Sequence, residues 1–177
     1  MTSSIFGKEH RAYVDAGYEP RRIRPGGKAC KDAGWNKPDA KLPDGTYTKW
    51  ANERGDHGIG LRLGTVLADG TLLSALDIDD ERLVRAARFL LGDPPCGRVG
   101  SKGIAYFVRI KGELAKAQTK FDIKPDDGKP VHVGELLGPK SLVVIPPTIH
   151  PDTNQPYRWI GKPLLETDFN ELPIIEV

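Results

Sequence analysis

The stretch TLLSALDIDDERLVRAARFLLG, residues 71–92, changes its hydrophobic period halfway along. Up to Asp79 it reads as a strand in which Leu76 and Ile78 face a core and Asp77 and Asp79 share the other side. From Asp80 onward Leu83, Ala86, Ala87, Leu90 and Leu91 recur at helical spacing, acids stand at the start, and Gly92 followed by Pro94 and Pro95 ends the run. A strand leading directly into an amphipathic helix is expected. Asp80 and Glu81 are assigned to the start of that helix, whose positive end favours carboxylates. Asp77 and Asp79 ask for another reason, because a rise of about 3.4 Å per residue leaves their Cβ atoms only ~7 Å apart. Like charges that close raise one another's pKa unless a cation stands between them. Divalent magnesium suits such a place, since it takes carboxylate oxygens together with substrate phosphates, and a pair of such ions can clamp attacking and leaving oxygens. The competing reading is that the strand ends near Asp79 and these acids, too, only cap the helix.

Outward from this stretch, HGIGLRLGTVLADGTLLSALDID gives two apolar runs joined at Asp69-Gly70, a hairpin signal. GIAYFVRI is expected to be a further strand, ELAKAQTK a short helix, and SLVVI a strand ended by Pro146 and Pro147. Residues 1–57 are rich in Gly, Pro and charge and read as loops and short elements anchored by Trp35 and Trp50. No repeat or low-complexity tract occurs. The sum is an α+β fold around a mostly antiparallel sheet.

Composition narrows the function. A chain of 177 residues is long enough for one domain with a substantial core. A formal net charge of +2 means that any nucleic-acid surface must be a local patch. Cys30 and Cys96 match no paired metal-ligand spacing and form no disulfide framework, which suits a reduced intracellular protein. The start MTSSIFGKEH lacks a basic flank before an apolar core, and no apolar run approaches a membrane span. A soluble cytoplasmic protein without membrane contact is expected.

Two further stretches carry chemistry. PPCGRVGSKG, residues 94–103, is Gly-rich and holds Arg98, Ser101 and Lys102 ahead of a strand. Exposed backbone amides there form an anion nest, and the two cations suit a triphosphate. Its spacings fit neither a Walker A loop nor a dinucleotide fingerprint, and an ordinary solvated turn is the alternative. PPTIHPDTNQPYRW, residues 146–159, brings His150, Tyr157, Arg158 and Trp159 into a loop and returning strand. These residues suit a base or ribose, or else Trp159 belongs to the core and His150 to an ordinary loop.

In order along the chain, GYEPRRIRPGGKACKDAGW, HGIGLRLG, LLSALDID, RVGSKGIAYFVR, GELLGPKSLVVIPPTIHP and QPYRW, from about residue 17 to 160, resemble the N-terminal domain of bifunctional DNA primase/polymerases. These belong to the archaeo-eukaryotic primase superfamily, common in plasmid, phage and integrated-element replication. The resemblance implies one prim-pol domain over 1–177, with an N-terminal α/β lobe over 1–65 and an RNA-recognition-motif-like catalytic core over 66–177. It implies metal-dependent nucleotidyl transfer from an NTP or dNTP onto a 3′-hydroxyl on single-stranded DNA template, or onto another nucleotide to start a primer. It also implies a C-terminal helicase or small helical primase domain in a longer protein, and ELPIIEV reads like a cut boundary.

Carried over residue by residue, the resemblance makes Asp77 and Asp79 ligands of Mg²⁺ or Mn²⁺. Glu135 is the third acid, and Asp122 its competitor, disfavoured because FDIKPDDGKP reads as a polar loop with no sheet to fix it. Arg98, Ser101 and Lys102 grip the triphosphate, and His150 approaches the nucleotide. Arg109 serves as well if its strand face points inward. The sequence departs from the family at the strand that cups the triphosphate. Ser101 is present there, but a gapless reading of GSKGIAYF places Ile104 where many members have a histidine. A catalytically weak nucleotide- or single-stranded-DNA-binding module and a metal-dependent nuclease are therefore the other expectations.

Overall fold

Ser4 starts the first helix by accepting the Gly7 amide on its hydroxyl at 3.0 Å. This helix, α1 (Ile5–Asp15), buries Phe6 and Tyr13, two turns apart on one stripe. There follow β1 (Pro20–Ile23), α2 (Thr46–Asn52), β2 (Gly58–Arg62), β3 (Leu72–Ile78) and α3 (Glu81–Leu90). Next come β4 (Cys96–Val99), β5 (Ile104–Lys111), β6 (Gln118–Ile123), β7 (Val131–Leu137), β8 (Leu142–Val144), β9 (Arg158–Gly161) and β10 (Ile174–Glu176). The structure, a computed structural model, describes residues 4–36, 42–43, 45–53, 57–114, 118–126 and 128–177.

Among the described residues two sheets form. A three-stranded antiparallel sheet runs β1-β2-β8, and a seven-stranded sheet runs β6-β7-β3-β5-β4-β9 with β10 beside β5. Only the β10–β5 pair is parallel. The fold is α+β with mostly antiparallel sheets, as the sequence led one to expect.

The large sheet is buried on both faces, and this places the acids. Leu73, Ala75, Ala105, Phe107 and Leu137 project into the main core, against Phe6 and Trp50 of the helices and Ile59 and Leu61 of β2. Ile78, Ile104 and Tyr106 project the other way, against Ala87 with Leu83 and Val84 on α3. Asp77 therefore continues the row of Leu73 and Ala75 just where the main core gives out. Asp80 caps α3 as expected, accepting the Arg82 amide at 3.0 Å, and Gly92 leaves the helix with φ 70°.

Four expectations are corrected. The turn at Asp69-Gly70 closes a short hairpin, with Leu67 donating to the Thr71 carbonyl at 2.8 Å, Val66 bridging Leu72 and the Gly64 amide donating to the Leu73 carbonyl at 2.8 Å, but the pairing stops there and does not extend into β2. β2 and β3 lie in different sheets, because the chain swings away at Gly64, whose φ is 89° and where a Cβ would stand 2.6 Å from Pro139 Cα. The helix expected over 113–120 is absent from its described part: Gln118–Lys120 open β6, and residues 115–117 lie outside the described residues. The Gly-rich loop over 94–103 shrinks to Gly100–Gly103, because Cys96–Val99 pair with both β5 and β9. The opening segment is more regular than loops and short elements, since α1 runs for 11 residues. Trp50 does anchor it, buried against Phe6 with ring centroids 5.7 Å apart. Among the described residues no helix is long and apolar enough to cross a membrane.

Candidate functional site

One row of side chains crosses the large sheet at the edge of the main core. Its members, each directly opposite the next, are Trp159 on β9, Arg98 on β4, Ala105 on β5, Asp77 on β3, Glu135 on β7 and Lys120 on β6. Opposed residues of antiparallel strands project from the same face. The two carboxylates are thus immediate neighbours, with a cation beyond each. Ala105 offers only a methyl group, and Arg98 reaches across it to Asp77, Nη2 to Oδ2 at 3.4 Å. The guanidinium lies over the Tyr157 ring, 5.1 Å from its centroid. Its Nε is buried and meets no hydrogen-bond acceptor among the described residues. Burial pushes the Asp77 carboxyl above the usual range, Arg98 opposes that shift, and Asp79 adds to it. Burial also raises Glu135, and the charge of Asp77 raises it further.

Asp79 follows the last residue of β3, with its amide donating to the Val133 carbonyl at 2.9 Å. Its carboxylate lies 3.3 Å from His132 Nε2, and His132 Nδ1 lies 3.2 Å from Asp122. Sequence reasoning missed His132. In a regular strand His132 and Glu135, three residues apart, point to opposite faces. Here Val133 is left over between the Gly134–Phe121 and His132–Asp122 pairs, and this bulge turns His132 toward the acids. Asp122 is correspondingly not in a loop but on β6, where it meets Asp79 through His132, while Glu135 stands directly beside Asp77.

The turn Gly100–Gly103 presses on the end of β3. A Cβ on Gly103, whose φ is 60°, would stand 1.9 Å from the Ile78 carbonyl oxygen. Ser101 and Lys102 are exposed at this turn. Arg82 holds the Asp80 carboxyl down at about 2, and Lys102 contributes a little to the same shift. Arg98 belongs to β4 rather than to the turn, so the three expected triphosphate residues divide between a half-buried strand position and an exposed tip.

His150 is 3 % exposed, with its ring 5.1 Å from Tyr157 and its Nδ1 accepting the Asp152 amide at 3.2 Å. Burial lowers its pKa, and Lys28 and then Arg98 act in the same direction, so it is neutral at neutral pH. Lys28, a second residue missed from sequence, pairs with Asp152 at 2.8 Å. A run of contacts from Lys28 through Asp152, His150 and Tyr157 thus ends at Arg98 and Asp77. Arg158 is exposed opposite Val99, while Trp159 packs at 5.9 Å from Phe107.

Arg109 takes no part. Its guanidinium is buried against Asp69 and the carbonyls of Leu172 and Asn170. Ile104 faces α3, so the position of β5 that meets the acids is 105, and Ala105 stands there. The basic residues of the first strand are committed internally too, Arg21 to Glu19 and Arg22 to Asp32.

The family profile described as bifunctional DNA primase/polymerase, N-terminal, matches residues 10–174. The chain belongs to this Prim-Pol family. No curated protein matches it. Membership supports a DNA primase/polymerase-family function with DNA and nucleotide as ligands. Among the described residues of this Prim-Pol chain, no three His, Cys, Asp or Glu side chains are gathered closely enough to hold a metal ion. The chemistry of the donors nevertheless suits one. Asp77 and Glu135 are hard oxygen donors side by side with their charges uncompensated by each other, and Asp79 stands at the end of the same strand. Arg98 stands against one oxygen of Asp77 and His132 against one oxygen of Asp79, so both would compete with an ion for these carboxylates.

Proposed function

We propose that this domain carries out template-directed, divalent-metal-dependent nucleotidyl transfer from NTPs or dNTPs on single-stranded DNA, in the replication of a plasmid, phage or other mobile element. The observation that carries the reading is the cross-strand pair Asp77–Glu135, Asp77 raised in pKa by burial and by Asp79, Glu135 by burial and by the charge of Asp77, with Asp79 adjoining and cations flanking the row. Asp77, Asp79 and Glu135 are the residues that would hold Mg²⁺ or Mn²⁺, and two such ions supply activation of a 3′-hydroxyl and charge stabilisation on the departing pyrophosphate. Arg98 offers its planar fork to phosphate oxygens, and Ser101 and Lys102 close over them from the turn. Neutral His150, behind Tyr157, fixes the ring on which Arg98 rests rather than reaching the nucleotide through solvent. Residues 1–177 act as one catalytic domain, in the cytoplasm, within a protein that also has a helicase or helical primase domain.

Primer extension and dinucleotide synthesis on single-stranded DNA with Mg²⁺ or Mn²⁺, comparing the chain with Asp79→Ala, test this reading. Products that need the metal and vanish in the variant support it. Full activity in Asp79→Ala refutes it. Strand cleavage or release of nucleoside monophosphates points instead to a nuclease. A second reading, a nucleotide- or single-stranded-DNA-binding module with weak catalysis, is favoured by Arg98 resting on Asp77 and by the methyl group at position 105. It predicts nucleotide binding without products from either protein.

A further inference from the structure

We propose that Arg98 is a built-in counter-ion for Asp77 which a nucleoside triphosphate draws away, so that nucleotide and metal ion each promote binding of the other. The inference rests on the metal-dependent reading above and adds an order to it. Three observations meet at one side chain. Arg98 Nη2 sits 3.4 Å from Asp77 Oδ2, on a carboxylate that would ligate a divalent ion, and the two side chains are only 13 % and 21 % exposed. The contact exists because Ala105, between them in the row, is too small to separate them. And the Arg98 Nε–H is buried with no acceptor among the described residues, so the ion pair with Asp77 leaves part of the guanidinium fork unused.

A buried donor without an acceptor is costly, and a triphosphate is the chemical class that satisfies the whole fork, since its oxygens accept parallel N–H donors from a planar cation. The guanidinium rests over the Tyr157 ring, a contact it can keep while its N–H groups exchange the Asp77 carboxylate for phosphate oxygens. While it faces Asp77 it repels a divalent ion and occupies one carboxylate oxygen. Once it faces phosphate, the adjacent acids Asp77 and Glu135 keep Lys120 as the one cation of their row, and a divalent ion stabilises them. Coupling of this kind is reciprocal by thermodynamic necessity.

The test is Mn²⁺ binding to the free protein, followed by electron paramagnetic resonance, with no nucleotide present. Arg98→Gln is expected to bind Mn²⁺ roughly tenfold more tightly than the unmodified chain. Lys111→Gln, which removes the same charge at the far end of β5 where Lys111 pairs with Glu176, is expected to change it little. In the presence of a chelator, Arg98→Gln is expected to bind a fluorescent triphosphate analogue more weakly. Equal Mn²⁺ affinity in Arg98→Gln and the unmodified chain, or weaker affinity in the variant, overturns the counter-ion role while leaving the metal-dependent reading standing. Absence of Mn²⁺ binding in both overturns that reading as well. A measurement that needs no variant is the ¹⁵N resonance of Arg98 Nε in the unmodified protein: it moves on adding a triphosphate without metal if the proposal holds, and its staying fixed overturns the proposal.

Discussion

Glu135→Gln should make the metal-free protein more stable, and by an amount that depends on pH. Glu135 and Asp77 are direct cross-strand partners, a relation that sets Cβ atoms about 5 Å apart and is destabilising for like charges. Two unit charges at that distance repel by roughly 3 kcal/mol at the effective dielectric near a protein surface, and partial exposure of Glu135 with cations on both flanks cuts this to about 1 kcal/mol. For a chain of this length that is a rise in Tm of about 2–4 °C. Burial and the charge of Asp77 raise the Glu135 carboxyl above its ordinary 4.5. In acid well below that value the group is protonated in folded and unfolded chains alike, and the variant gains nothing. As pH rises through 4.5 the unfolded chain ionises first, so the native state loses stability until its own group ionises, and the loss then stays constant. Glutamine escapes it. Thermal unfolding of both proteins from acid to neutral pH should therefore show curves that coincide in acid and part above 4.5. Added Mg²⁺ should reverse the order at neutral pH, because the unmodified chain then gains a ligand that the variant has lost. A variant less stable than the unmodified chain in metal-free neutral buffer, or a gain independent of pH, refutes the charge-pair reasoning.

Other substitutions probe how the site is held. Gly103→Ala places a Cβ where the Ile78 carbonyl oxygen stands, on a residue with φ 60°, and should cost more than about 2 kcal/mol in urea unfolding; a near-neutral result would show that the turn is free of β3. Arg109→Met removes the buried fork that holds Asp69 and the carbonyls of Asn170 and Leu172. It should cost about 3 kcal/mol, and amide exchange in β10 should rise most, while Mn²⁺ affinity stays unchanged because Arg109 lies outside the site. Burial pushes the Cys30 thiol up to about 11 and the Cys96 thiol up to about 12, so neither should react with an alkylating agent in the native protein at mildly alkaline pH, and both should react once it is denatured. Rapid native labelling at either position would contradict its burial.

The parts of this molecule that sequence discloses are those governed by a simple period. The run from Leu72 to Leu91 names its strand, its cap and its helix because apolar spacing switches from every second residue to every third or fourth. Alternation also puts Asp77 on the face away from Leu76 and Ile78. What it does not disclose is pairing. The same alternation implies a hairpin through Asp69-Gly70, which forms only as far as Gly64, where β2 and β3 separate into two sheets. The Lys28–Asp152 contact spans most of the chain and leaves no local signature. Asp122 reads as part of a polar loop because β6 is an edge strand with few apolar residues, and an exposed edge strand needs no hydrophobic pattern.

His132 and Ala105 show the two opposite ways in which a site escapes a sequence reading. His132 lies three residues from Glu135, which alternation assigns to the wrong face, and only the extra residue Val133 corrects the parity. Nothing in VHVGELL marks that residue as extra. Ala105 escapes for the reverse reason: its importance is what it leaves out. A gapless reading points to Ile104, but the register Asp77↔Ala105 and Arg98↔Ala105 makes the methyl group the floor between cation and carboxylate. This changes the expected effect of removing an acid. Losing Glu135 relieves repulsion, whereas losing Asp77 also deprives a half-buried guanidinium of its only carboxylate contact among the described residues. Equal chemistry at adjacent places in one row thus carries unequal stability, and comparing Asp77→Asn with Glu135→Gln in the same metal-free unfolding experiment measures that difference. The Glu135 variant should melt higher than the Asp77 variant. The reverse order would mean that Arg98 contributes nothing to the row, and with it the counter-ion role would fall.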